Sequence, residues 1–144
     1  LADATRQLDG AWHAGTAYER YAQSVAAMGG NPEAALPAAP IRKAIPVVRP
    51  GVVVGIDSRA VGLAVVSLGG GRTRPGAPID SAVGLTELAF TGEAPSHQLG
   101  VVHARTEAEA DAAIRAIQQA YTMGEEAPRA TEPVIERVIS TTHG

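Results

Sequence analysis

The order of elements legible in the sequence predicts an α+β fold, a mostly antiparallel sheet with helices laid on one face. Three observations carry that expectation. β-branched runs are separated by short, turn-rich connections, which favour antiparallel pairing. Two stretches carry capping-box signatures ahead of apolar residues at helical spacing. The 144 residues are 45% apolar but only 3% aromatic, so Val, Ile, Leu and Ala must fill the core, as suits thin layers of helix on sheet.

Residues 2–10 read as a first helix, which the glycines of "LDGAWHAG" break, leaving Trp12 in a connection. From Ala14 to Gly30 the pattern is helical: "TAYE", Thr16 to Glu19, reads as a capping box, and Tyr18, Tyr21, Ala22, Val25 and Met28 share a face. Gly29 and Gly30 stop it. "NPEAALPAAP" holds three prolines and few bulky apolar residues, as in a surface crossing. A boundary there divides a helical segment, 1–40, from a C-terminal α+β domain, 41–144.

Next, "IRKAIPVVRPGVVVGID" has the composition of a strand pair turning tightly at Arg49-Pro50-Gly51, with Pro46 marking an edge or a bulge. Asp57 or Ser58 caps a helix through "RAVGLAVVSL", which is apolar nearly all round and therefore expected to be buried; its β-branched residues keep a strand open as the alternative. "IDSAVGLTELAF" and "HQLGVVHA" read as two strands joined through "TGEAPS". The clearest helix follows, with Thr106 and Glu109 as a capping box, Ala110, Ala113, Ile114, Ile117 and Tyr121 at helical spacing, and Gly124 closing it. "VIERVIS" alternates as a final short strand. No internal repeat is found.

A net charge of −3 without a dense Lys/Arg run excludes an electrostatic footprint for nucleic acid or anionic membrane. Cysteine is absent, which removes disulfides, thiolate metal sites and cysteine nucleophiles and fits a cytoplasmic protein. No apolar run approaches the roughly 18–20 residues that a membrane span needs. The chain starts at Leu1 and enters helix-like sequence at once, so it is expected to be cut from something longer.

The richest stretch for chemistry is "LGGGRTRPGAPID", Leu68 to Asp80, where a run of three glycines meets two arginines. A phosphate-cradling loop aims backbone N–H groups, and the positive end of the helix that follows, at the anion. Here the glycines come after the helical pattern, where carbonyls and a negative partial charge face outward. The P-loop ending and the strand-loop-helix setting of a dinucleotide fingerprint are both missing. Gly69 to Gly71 therefore read as a helix end running into a loop. Gly70, Gly71, Arg72 and Arg74 stand as candidate binding residues of a glycine-hinged loop that closes over a ligand.

The four histidines, His13, His97, His103 and His143, have no zinc-ligand spacing. His103 falls in an expected strand with no serine or carboxylate placed beside it by sequence, so it reads as structural rather than as a base. No Gly-x-Ser-x-Gly elbow occurs, and Ser67 lies inside the apolar element. Asp57 and Asp80 each have a simpler task, as helix cap and turn residue. Glu107, Glu109 and Asp111 read as a solvated helix start favoured by the dipole. Residue chemistry thus assigns no catalytic group and no metal ligand.

Read together, "GTAYERYAQSVAAMGGNP", "GIDSRAVGLAVVSLGGGRTRPGAPIDSAVGL" and "HARTEAEADAAIRAIQQAY" resemble the C-terminal third of the thymidine phosphorylase and pyrimidine nucleoside phosphorylase family, in order and spacing over almost the whole chain. The block from Asp57 to Arg72, followed by "IDSAVG", is its specific part. The resemblance implies the family's α/β-hammerhead C-terminal domain and a reversible phosphorolysis. Phosphate attacks the anomeric carbon of a pyrimidine deoxynucleoside, giving free base and deoxyribose 1-phosphate without an organic cofactor. It also implies a homodimer of two-domain subunits that close on substrate. The family's phosphate- and pyrimidine-holding groups belong to upstream segments, so the resemblance places no catalytic residue here. The expected role is scaffold and cleft closure, partnered by the upstream part of the same polypeptide, with the isolated chain inactive. A free-standing binding or assembly module and a part of a nucleotide phosphorylase stay open. Two departures stand out: Met28 where the family usually has Gln, and "TGEAPSHQLG" where it commonly has a Gly-Asp-x-Val-x-x-Gly turn.

Overall fold

The computed structural model describes residues 2–129; the strand expected in "VIERVIS", and His143, lie outside the described residues. Two units are distinguished, Leu1–Leu36 and Pro37–Gly144.

The first unit holds α1 (Ala2–His13) and α2 (Thr16–Ala27). Gly10 does not break α1, which runs on through Trp12. One interior glycine costs only about 1 kcal/mol, and the reversal falls instead at Gly15, whose φ of 77° is left-handed. Because Gly15 takes the capping position, the box expected at Thr16 does not form; the Thr16 hydroxyl donates to the Ala11 carbonyl at 3.2 Å instead. The glycine stop holds. Gly29 (φ 81°) donates to Ala26 and Gly30 to Val25, each at 2.9 Å, the crossed pair of bonds that closes a helix into a left-handed turn. Neither helix has a buried residue.

The second unit runs β1 (Ile41–Pro46), β2 (Val52–Ile56), α3 (Ser58–Val65), a π-helical turn (Val66–Gly70), β3 (Gly84–Thr86), β4 (Gln98–Ala104), α4 (Glu107–Ala120) and β5 (Tyr121–Gly124). It is an α+β arrangement of two small antiparallel sheets, ordered β1-β4-β3 and β2-β5. The hairpin expected at Arg49-Pro50-Gly51 is absent, because β1 and β2 belong to different sheets. Two anchors split them. The Val47 N–H donates to the His97 carbonyl at 3.1 Å, keeping the chain beside β4. Gly51, at φ 144°, then passes so close to β5 that a Cβ on it would lie 2.4 Å from the Gly124 carbonyl oxygen. Pro46 does lie on an edge strand, at a register shift after Ile45.

α4 packs on β1 and β4, and α3 packs on α4. The core centres on Ile45, Val53, Val102 and Ile117, with no solvent exposure for the first, second and third and none for the last. Along α4, Ala110, Ala113, Ile117 and Ala120 form the buried stripe. Its capping box is complete: the Glu109 N–H donates to the Thr106 hydroxyl at 3.2 Å, and the Thr106 N–H to the Glu109 carboxylate at 3.0 Å. The α4 helix stops at Ala120 rather than at Gly124, since Tyr121–Gly124 leave it to pair with β2. The Tyr121 hydroxyl, buried, donates to the Ala89 carbonyl at 2.9 Å.

Asp57 caps α3, accepting from the Ala60 N–H at 2.9 Å, which settles that stretch as helix. It is less buried than its apolar composition suggests. Only Ala64, and Leu68 in the following turn, are buried, whereas Leu63 is 53% exposed. The long strand expected in "IDSAVGLTELAF" shrinks to Gly84–Thr86. Asp80 folds the chain ahead of it, its carboxylate accepting from the Ala82 N–H at 3.0 Å, and Glu87 at φ 57° ends it.

Candidate functional site

The glycine-arginine loop grows from the end of α3. Gly69 takes φ 95°, and a Cβ on Gly70 or Gly71 would come within 2.8 Å of Val65 or 2.6 Å of Val66. The glycines are thus required by the chain's return across its own helix. They follow that helix, so its negative carbonyl end faces the loop, which argues against a phosphate cradle.

The base of the loop is clamped. The Asp80 N–H donates to the Gly69 carbonyl at 3.0 Å. Arg105, just after β4, donates through Nε to Oδ2 of Asp80 at 2.6 Å and through Nη2 to Oδ1 at 2.7 Å. Such a two-pronged guanidinium-carboxylate pair fixes geometry as well as charge. Arg105 first, then the Ala82 N–H, holds the Asp80 carboxyl below its usual range, and Asp80 in turn raises the Arg105 guanidinium.

The crown of the loop is open. Gly76, at φ 76°, turns it, the Ala77 N–H donates to the Arg74 carbonyl at 3.2 Å, and Arg72 Nε reaches the Ala77 carbonyl at 3.2 Å. Arg72 and Arg74 are exposed, and neither has a carboxylate partner among the described residues. The structure therefore sets two cationic side chains on a short turn whose ends are tied down.

The other sequence candidates have separate tasks. His103 Nε2 and the Thr86 hydroxyl are hydrogen-bonded across β3 and β4 at 2.9 Å. Ser67 donates to the Leu63 carbonyl at 2.9 Å, one turn back in its own helix. His13 Nδ1 lies 2.7 Å from the Asp9 carbonyl. The acidic start of α4 is more than a solvated face, because Lys43 of β1 donates to Glu107 at 2.8 Å and to Asp111 at 2.7 Å. That contact raises the Lys43 ammonium and lowers the Asp111 carboxyl. Among the described residues no group of three or more His, Asp or Glu side chains gathers as a metal site. No described helix is long and apolar enough to cross a membrane.

Sequence reasoning missed both Arg105 and Lys43. Each meets its carboxylates across a long chain separation, from Asp80 to Arg105 and from Lys43 to Asp111, and no local spacing signals such a pair. The divergent "TGEAPSHQLG" turn is pinned to β2: the Gly92 N–H donates to the Val53 carbonyl and the Val53 N–H to the Glu93 carbonyl, both at 2.8 Å. The Glu93 carboxylate also accepts from the Phe90 N–H at 2.8 Å.

Two small antiparallel sheets bridged by a capped helix, with a clamped glycine-arginine loop between helix and strand, define the class. The family described as pyrimidine nucleoside phosphorylase C-terminal domain matches residues 52–124, from the first residue of β2 to the last of β5. The chain belongs to that family. It is also 47% identical to the thymidine phosphorylase of Burkholderia cenocepacia over 137 residues, 88% of this chain and 31% of that protein. To the thymidine phosphorylase of Burkholderia lata it is 44% identical over 133 residues, covering 87% of this chain and 30% of the relative. To that of Mesorhizobium japonicum it is 42% identical over 134 residues, with the same 87% and 30% coverage. The chain therefore spans about 30% of the length of these relatives.

Proposed function

We propose that this chain is the C-terminal portion of a thymidine phosphorylase, where it supplies scaffold and cleft-closure surface while the reacting groups come from the upstream part of the same polypeptide. The single observation that carries the reading is the 47% identity over 137 residues with a protein of that name, of which this chain spans 31%. In the reaction a phosphate oxygen bonds to the anomeric carbon of a pyrimidine deoxynucleoside. The bond from that carbon to the base breaks, and the base leaves with the electron pair and is protonated. The products are free pyrimidine and deoxyribose 1-phosphate. The intact enzyme is a cytoplasmic homodimer that takes phosphate and a pyrimidine nucleoside and needs no organic cofactor.

Gly70, Gly71, Arg72 and Arg74 form the closing loop. The Asp80–Arg105 pair holds its base, while the exposed guanidinium of Arg72 keeps donors free for the phosphate side of a closed cleft. Arg72→Ala in the intact enzyme should lower kcat/KM for thymidine by about tenfold or more, the loss expected when a charge-assisted hydrogen bond is removed. Unchanged kcat and KM would make the loop structural only.

A further inference from the structure

We propose that a cavity between the Val47–Gly51 loop and the C-terminal half of α4 binds an organic monophosphate with a flat, weakly polar body. The cavity has a volume of about 400 Å³, within the range of small-molecule sites. It shares no lining residue with the Gly69–Asp80 loop.

Charge points to the ligand's head. Arg49 and Arg115 line the cavity and no carboxylate does, in a chain whose net charge is −3. Neither arginine has an ion-pair partner among the described residues. Asp111, one turn before Arg115, is bonded to Lys43 at 2.7 Å, and Arg115 acts on it only through its charge, as the weakest of the influences on that carboxyl. The C-terminus of α4 contributes about half a negative elementary charge, which two full guanidinium charges outweigh. Guanidinium forks match a phosphate dianion better than they match a neutral or singly charged group.

The rest of the wall points to the ligand's body. Val47, Leu99 and Met123 are apolar. The Tyr121 hydroxyl is engaged by the Ala89 carbonyl, so this residue offers its ring rather than its oxygen. The Gln118 amide is likewise engaged by the Pro46 carbonyl at 2.9 Å. Gln119 and Thr122 also line the cavity, and their side chains supply its neutral polar groups. The wall that carries Arg49 is held at both ends, by the Val47 N–H on His97 and by the approach of Gly51 to Gly124. Pro50 stiffens it between them.

The test is a titration of the isotope-labelled chain with phenyl phosphate, followed by amide NMR, with inorganic phosphate and benzyl alcohol in parallel. Phenyl phosphate should give saturable shifts at Val48, Arg49 and the Arg115 to Met123 segment, and should bind about tenfold more tightly than inorganic phosphate, from the apolar surface its ring buries. Benzyl alcohol, which keeps the ring and lacks the charge, should not saturate. Arg49→Gln and Arg115→Gln should each weaken phenyl phosphate by about tenfold or more. Both side chains are exposed, so the variants keep the fold, which unchanged shifts elsewhere in the spectrum verify. Arg59→Gln, an exposed arginine outside the cavity, should leave binding unchanged. The proposal is overturned if no shift saturates, if inorganic phosphate binds as tightly or benzyl alcohol saturates, if either cavity variant binds normally, or if Arg59→Gln weakens binding equally.

Discussion

Helices α2 and α4 are close in length and both amphipathic, yet they are built differently. α4 carries a complete capping box and four buried residues, Ala110, Ala113, Ile117 and Ala120. α2 is entered from a left-handed glycine without a side-chain cap, and it has no buried residue. Its tyrosines lie at the surface, Tyr18 52% and Tyr21 56% exposed, with ring centroids 6.0 Å apart. A short helix draws most of its stability from the surface it buries and only a small part from propensity. In the structure described here, α4 is therefore a beam of its unit, whereas α2 rests on local bonds and its glycine stop.

Substitutions at matched positions sharpen that contrast. The largest effect is expected at Ile117, which has no solvent exposure. Ile117→Ala should destabilise the chain by about 2–5 kcal/mol in urea unfolding followed by circular dichroism. Val25→Ala on the inner side of α2 should cost less than about 1 kcal/mol; equal losses would erase the distinction between the helices. Next come the caps. Thr106→Ala should cost about 1 kcal/mol, while Thr16→Ala, which caps nothing, should stay within about 0.5 kcal/mol.

The smallest effect is electrostatic and appears on the acid side. Asp80 and Asp111 have folded carboxyl values below the ordinary 3.8. Their contributions are thus fully present above that value and are lost as the pH falls through the lower folded values. Arg105→Gln should flatten the melting-temperature curve in that acid range relative to the parent chain, with little change in its shape near neutrality. Both carboxylates are solvent-accessible, which keeps the effect small. A parallel displacement of the whole curve would assign Arg105 to packing instead.

What the sequence made legible were features decided within one turn of chain. Asp57 at the start of α3, the Thr106 and Glu109 box, the Gly29 and Gly30 stop and the helix end at the Gly69 to Gly71 run are all local chemistry. What it hid was decided by partners far along the chain. β1 and β2 look like a hairpin, but His97 and Gly124 separate them. Tyr121 continues the helical period of α4, but pairing with β2 draws it into a strand. Of the candidate loop, the residues at the crown could be named from composition. Its clamp could not, because nothing near Asp80 announces Arg105.

The central claim is that the chemistry lies outside this chain, and thymine release from thymidine and phosphate by the purified chain, with circular dichroism confirming the fold, addresses it directly. The account predicts a folded chain with no release above background, and activity once the upstream portion is supplied. Turnover by the chain alone would contradict it and would move the search for reacting groups to Arg72, Arg74 and His103.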